Sequence, residues 1–163
     1  MKAKKIALWG ILGALAVAIS ILEGLVSPLI SFPGARVGFS NVITMASCLT
    51  LGLPGAIYIV IVKALSALIF RGGIAALLSL CGGLLSAITM FILFKTRASI
   101  LFTSILSACA HSLGQVLIAA CLLGNAIFYY LPVLLIISVL SGIATGIILK
   151  LLLPHISKKE TSK

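Results

Sequence analysis

Glu23, Lys63, His111 and Gln115 are the residues whose types invite chemistry, because each interrupts a long apolar run. A polar or ionisable group at membrane depth is expensive to hold, so each is a candidate for recognising a ligand. His111 and Gln115 are four apart and share one helix face, with Ser107 and Ser112 close by. That pair reads either as part of a pocket or as an internal hydrogen-bonded strut, and Asn41 is a second polar residue that could meet it. Lys63 could bind a ligand, join an ion pair, or snorkel along a tilted helix. Glu23 is open to pairing with Arg36 or Arg71, or to ligand contact. If they converge, the cationic Arg36, Lys63 and Arg71 with the single acid Glu23 favour an anionic or amphipathic solute over a cation. The expected substrate-binding set is Arg36, Asn41, Lys63, His111 and Gln115.

Other chemistry lacks its residues. The carboxylates are Glu23 and Glu160 alone, and there is no Asp. A Mg²⁺ cage or an acid/base carboxylate pair therefore has no ligands, and no catalytic residue or cofactor is expected. Two His without a nearby carboxylate or Cys set do not make a metal site. Cys48, Cys81, Cys109 and Cys121 form no Cys-x-x-Cys pair and read as small buried hydrophobes.

These residues need a lipid-embedded scaffold. The chain is 62% hydrophobic and 9% charged over 163 residues, more apolar surface than a water-soluble domain of this length could hide. The net charge of +10 invites a nucleic-acid reading, but its placement argues against one. Nine of the twelve cations sit at the ends or in one loop: Lys2, Lys4, Lys5, Lys95, Arg97, Lys150, Lys158, Lys159 and Lys163. That is the pattern of cytoplasmic segments facing anionic lipid.

Six apolar segments follow from the breaks. The first runs from Ile6 to about Val26, and its continuation past Ala16-Val17-Ala18 favours a retained helix over a cleaved signal peptide. After a break at Ser27 to Gly38, Ser40-Asn41 can cap a second helix that ends at Gly52-Leu53-Pro54-Gly55 and is short for a bilayer. The remaining segments are Ala56 to Phe70, Ile74 to Phe94, Ala98 to Leu123 and about Ala126 to Leu153. The expected fold is all-α: a polytopic membrane bundle of about six transmembrane helices, N-in and C-in. Residues 1–163 form one integral membrane domain, with 1–5 and 155–163 as cytoplasmic tails. Phe128, Tyr129 and Tyr130 belong to the outer aromatic belt and Trp9 to the inner one. Small residues recur at four-residue spacing: Gly10, Ala14 and Ala18; Gly82 and Ser86; Ala110 and Gly114; Gly142 and Gly146. Such stripes let helices approach closely. In the later segments this reads as internal packing, whereas Gly10, Ala14 and Ala18 could also dock a partner.

The run from Phe32-Pro33-Gly34-Ala35-Arg36 through Gly38-Phe39-Ser40-Asn41, with Gly82-Gly83, Ala110-His111-Ser112-Leu113-Gly114-Gln115 and Tyr130-Leu131-Pro132, resembles the bacterial Gx transporter family. That family is also labelled heptaprenyl diphosphate synthase component I, and is similar to the substrate-binding S components of energy-coupling factor transporters. The resemblance implies an S-component-like bundle in the bacterial cell membrane. The loop from Ser27 to Ser40 would be lid and pocket wall, and Asn41, His111 and Gln115 would be pocket candidates. It also implies partners: a small-molecule substrate, the lipid bilayer, a membrane coupling subunit meeting the Ala14 and Ala18 stripe, and ATPases. No Gly-x-x-x-x-Gly-Lys-Ser/Thr loop is present, so energy would come from those partners. Prenyl synthases resemble one another in Asp-rich Mg²⁺ motifs, and a chain without Asp cannot be such a catalytic subunit. The alternative is a membrane subunit of flavin- or quinone-linked extracellular electron transfer, or of an isoprenoid or menaquinone pathway. A structural scaffold is the third reading.

Overall fold

The computed structural model describes residues 2–26 and 38–161, all built from helices and short turns. The elements are α1 (Lys2–Val26), α2 (Ser40–Arg71), α3 (Gly73–Lys95), α4 (Ile100–Leu123), a 3-10 segment (Asn125–Tyr130) and α5 (Leu131–Thr161). Among the described residues, five helices are long and apolar enough to cross a membrane. Burial runs opposite to that of a water-soluble domain. Ile69, Ile136, Leu140 and Leu151 are each more than 60% exposed, while Ser47, Thr103, Ser104 and Ser107 are at most 2% exposed. A surface of this kind is stable against lipid and would aggregate in water.

The five helices make six passes or part-passes, because α2 is two helices. Gly52 breaks it with φ 72° and ψ −163°, a conformation that is essentially glycine's alone. The Lys63 ammonium donates to the Asn41 side-chain oxygen at 3.0 Å, although the two are 22 residues apart. On a straight helix they would be separated by about 33 Å, so the arms fold back on each other at Gly52. Gly55 lets them close: a Cβ there would lie 2.8 Å from Ser47 Oγ and 3.1 Å from Ser47 O. The expected second and third segments are thus the arms 40–51 and 53–71 of a single hairpin. The first arm is about 18 Å long, little more than half the ~30 Å hydrocarbon core.

Two clusters hold the hairpin in place. Ala16 of α1 packs with Ile43 and Ile59, one from each arm. Val42, Met45 and Cys48 pack with Val60, with Ala87 and Met90 of α3, and with Leu149 of α5. Trp9 stacks tilted on Tyr58, ring centroids 5.0 Å apart, near the reversal. Phe94, Ile100 and Leu153 join the larger cluster, which brings the basic α3–α4 turn beside the last turns of α5. At the other end the 3-10 segment seals α4 against α5 through Ile127, Leu131 and Val116. It exposes Phe128, Tyr129 and Tyr130, as an interfacial aromatic belt would.

The stripes in the later helices face inward. A Cβ on Gly114 would lie 2.9 Å from the Gly82 Cα, and one on Gly142 would lie 2.6 Å from the Ile105 Cα. The Ser104 hydroxyl donates to Gly142 O at 2.7 Å, so α4 and α5 touch backbone to backbone. Gly10, Ala14 and Ala18 differ: all three are exposed, with nothing within 4 Å of a Cβ on Gly10.

Candidate functional site

The N-terminus of the half-length first arm of α2 lies among polar groups of α1, α4 and α5. The sequence suggests that Ser40 or Asn41 caps this helix. Instead Phe39 holds the cap position and makes no side-chain cap bond. The capping group comes from α1: Ser40 N donates to one Glu23 carboxylate oxygen at 3.2 Å, and Ser40 Oγ donates to the other at 2.7 Å. A carboxylate suits this place because the first N–H groups of a helix are unpaired and carry partial positive charge. Glu23 is 7% exposed, so its charge is met by these donors rather than by bulk solvent. The next residue, Asn41, accepts from Lys63 of the second arm. Ser40 and Asn41 thus tie the arm's tip to α1 on one side and to its own return arm on the other.

Around this tip lies a cavity of about 30 Å³, lined by Glu23, Ser40, Asn41, Lys63, His111 and Gln115 together with hydroxyls of α4 and α5. That volume suffices for a water molecule or two. Gly82 brings the His–Gln face up to it: a Cβ there would lie 2.7 Å from His111 O and 2.8 Å from Gln115 Cγ. From the α5 side come Ser138 and Ser141. Ser138 Oγ donates to Leu134 O at 2.7 Å, and Ser112 Oγ lies 2.5 Å from Ser138 Oγ, so Ser112 is the donor of that pair. The Thr145 hydroxyl reaches Gly38 O at 3.4 Å, fixing the entry to α2 against α5.

Four of the five expected substrate-binding residues, Asn41, Lys63, His111 and Gln115, therefore converge on one cavity. They come from both arms of α2 and from α4. Arg36 lies outside the described residues, as does most of the loop from Ser27 to Ser40. Glu23, expected to pair with Arg36 or Arg71, accepts from Ser40 and forms part of the wall, and it also interacts electrostatically with Arg71. Arg71 does not line the cavity and runs past α1, its Cδ 3.8 Å from where a Cβ on Gly24 would stand. Ser138 and Ser141 were not anticipated. Their signal was available: with Thr145 they recur at helical spacing in an otherwise apolar segment. Among the described residues no three His, Cys, Asp or Glu side chains gather as a metal site would require. The four cysteines are free thiols.

Fold and site together define a multi-pass membrane protein with a polar cavity between its helices. Residues 12–152 match the family described as heptaprenyl diphosphate synthase component I, and the chain belongs to that family. No curated protein and no solved structure matches it.

Proposed function

We propose that this chain is a membrane-embedded substrate-binding subunit, similar to an S component. It would take up a small organic solute, anionic or amphipathic, across the bacterial cell membrane. The observation that carries the reading is the cavity, where Asn41, Lys63, His111 and Gln115 meet at the tip of a half-length helix. Half-helix termini near the bilayer midplane are a recurrent way for transporters to present polar backbone and side chains to a solute. A scaffold needs no such convergence, since buried polar groups are costly and helices in lipid pack well through small residues alone. The protein is not itself an enzyme in this reading: it has no Asp and its buried acid already caps a helix.

Energy and inward delivery come from partners, a coupling subunit and ATPases, docking on the exposed Gly10, Ala14 and Ala18 face of α1. Affinity purification from native membranes tests this, with co-purification of a coupling subunit and an ATPase pair as the expected result. The family's description favours a second reading, a membrane subunit in isoprenoid, quinone or flavin-linked metabolism. Loss of menaquinone or of ferric reduction on deletion, with solute uptake unchanged, would decide for it.

A further inference from the structure

The α3–α4 turn holds a residue in a conformation its type disfavours. Ala98 N donates to Leu93 O at 3.0 Å and Arg97 N to Phe94 O at 3.1 Å, the paired bonds that close a helix C-terminus through one left-handed residue. That residue is Arg97, with φ 57°, where glycine is the usual occupant because a Cβ is strained there. Among the described residues no other non-glycine has a positive φ. The fold brings a further cation to the same place from α5. Gly142 of α5 meets Ile105 of α4, and Gly146, one turn on, meets Leu101, one turn back. The next step along α5 is Lys150, which the same antiparallel register brings level with the α3–α4 turn. Phe94, Ile100 and Leu153, packed on one cluster, join the two elements at that level. Lys95, Arg97 and Lys150 are all exposed. Among the described side chains the one carboxylate is Glu23, which accepts from Ser40, so nothing described offsets these three charges.

We infer that Lys95, Arg97 and Lys150 hold the phosphate of an anionic phospholipid of the inner leaflet, at the foot of the α4–α5 seam. The leaflet follows from the bias of basic residues to this end of the bundle. Charge alone would suit a free anion or an acidic protein equally well. What selects a lipid is the apolar surface within a turn of the cations: Leu101 and Phe102 on α4 and Ile147 and Leu151 on α5 are exposed and can lie along acyl chains. Basic pockets between membrane helices on the cytoplasmic side are a recurrent headgroup site. Arg97 suits the phosphate because a planar guanidinium grips two oxygens at once. The chain keeps a strained backbone at Arg97 where glycine would fold more easily, so the guanidinium has a use that the turn itself does not supply. The inference goes beyond the substrate-binding reading and does not depend on it. The site shares no residue with the polar cavity, so a lipid held here is counted apart from any solute bound there.

The test titrates the full chain, in a neutral detergent, with palmitoyl-oleoyl phosphatidylglycerol and with the matching phosphatidylcholine, and counts bound lipid by native mass spectrometry. Phosphatidylglycerol is expected to bind at least about tenfold more tightly, since each basic residue beside an anionic headgroup contributes about fivefold. Arg97→Gly and Lys150→Gln should each weaken it about fivefold, and the double variant about twentyfold. Lys5→Gln, which removes a cytoplasmic cation outside the site, should weaken it less than about twofold. Arg97→Gly also separates binding from folding, because glycine suits that backbone: its thermal unfolding in lipid-free detergent should match or exceed the parent's. A lower unfolding temperature would give Arg97 a structural role and overturn the inference. Equal binding of the two lipids would overturn it, as would a double variant that binds phosphatidylglycerol like the parent. A loss in Lys5→Gln equal to that in Arg97→Gly would mean diffuse positive charge alone and would also overturn it. Displacement by glycerol phosphate at the lipid's own concentration would leave a free-anion site, and displacement by a polyglutamate peptide a protein-binding surface; either result overturns the lipid.

Discussion

Replacing Glu23 with Ala removes the carboxylate that holds the tip of the α2 hairpin to α1. Two donors lose their acceptor, Ser40 N at 3.2 Å and Ser40 Oγ at 2.7 Å, in a place where Glu23 is 7% exposed. Hydrogen bonds to a charged group contribute about 1.5–3 kcal/mol each in water-soluble proteins. Polar pairs inside membranes average about 0.6 and reach about 1.7 kcal/mol, because the unfolded chain in lipid also finds partners. A negative charge at a helix N-terminus adds about 0.3–1 kcal/mol. Running from the average to the upper membrane value for both bonds, with the helix-end charge added, the loss is about 1.5–4.4 kcal/mol. Glu23→Gln keeps an acceptor and loses the charge, and should cost about half as much. The neighbouring Leu22→Ala, at an exposed position, should cost less than about 1 kcal/mol. Reversible unfolding in mixed detergent micelles, followed by circular dichroism, measures all three. A Glu23→Ala variant within about 0.5 kcal/mol of the parent would refute the assignment of this carboxylate as the arm's cap.

Other expectations follow from the same geometry. Asn41→Cys with Lys63→Cys should cross-link in membranes with a short bis-maleimide, read as a mobility shift after cleavage between the two positions; an unbroken α2 would hold them about 33 Å apart and give none. Gly52→Ala should destabilise by about 1–3 kcal/mol in the same unfolding assay, because Ala disfavours the reversal's dihedrals. Gly142→Val should cost about 1–3 kcal/mol, since the added Cβ meets the Ile105 backbone at 2.6 Å. Gly10→Leu meets nothing within the chain and should leave unfolding nearly unchanged. The double change Ala14→Leu and Ala18→Leu should likewise spare folding while abolishing recovery of partner subunits; full recovery would remove the docking face.

The helices were readable because their cause is local: long apolar runs between Gly, Pro and basic breaks need no tertiary information. The short stretch before Gly52-Leu53-Pro54-Gly55 already signalled a part-span, but the sharp return at Gly52 rests on one glycine's dihedrals and on contacts between residues 22 apart. The site divides in the same way. Lys63, His111 and Gln115 stood out because polar groups at membrane depth are costly wherever they occur. That they share one cavity with Asn41 depends on how three helical arms pack, which residue type does not encode. Ser40 shows the limit most plainly. Its type and place suggest a cap for its own helix, but a carboxylate from α1 is a stronger acceptor for the same helix end, and Ser40 becomes a donor to it. The hydroxyls of Ser138 and Ser141 were passed over because serine is common in membrane helices, where it often bonds its own backbone, as Ser138 does to Leu134.

The cavity's role is tested most directly by mass spectrometry of the small molecules that leave membranes bound to the purified protein. One compound near one-to-one stoichiometry is expected with the parent and with Gly10→Leu. It should be absent from Asn41→Ala and His111→Ala preparations that remain folded. A compound carried equally by the parent and both cavity variants would contradict the account, as would folded parent protein that carries none.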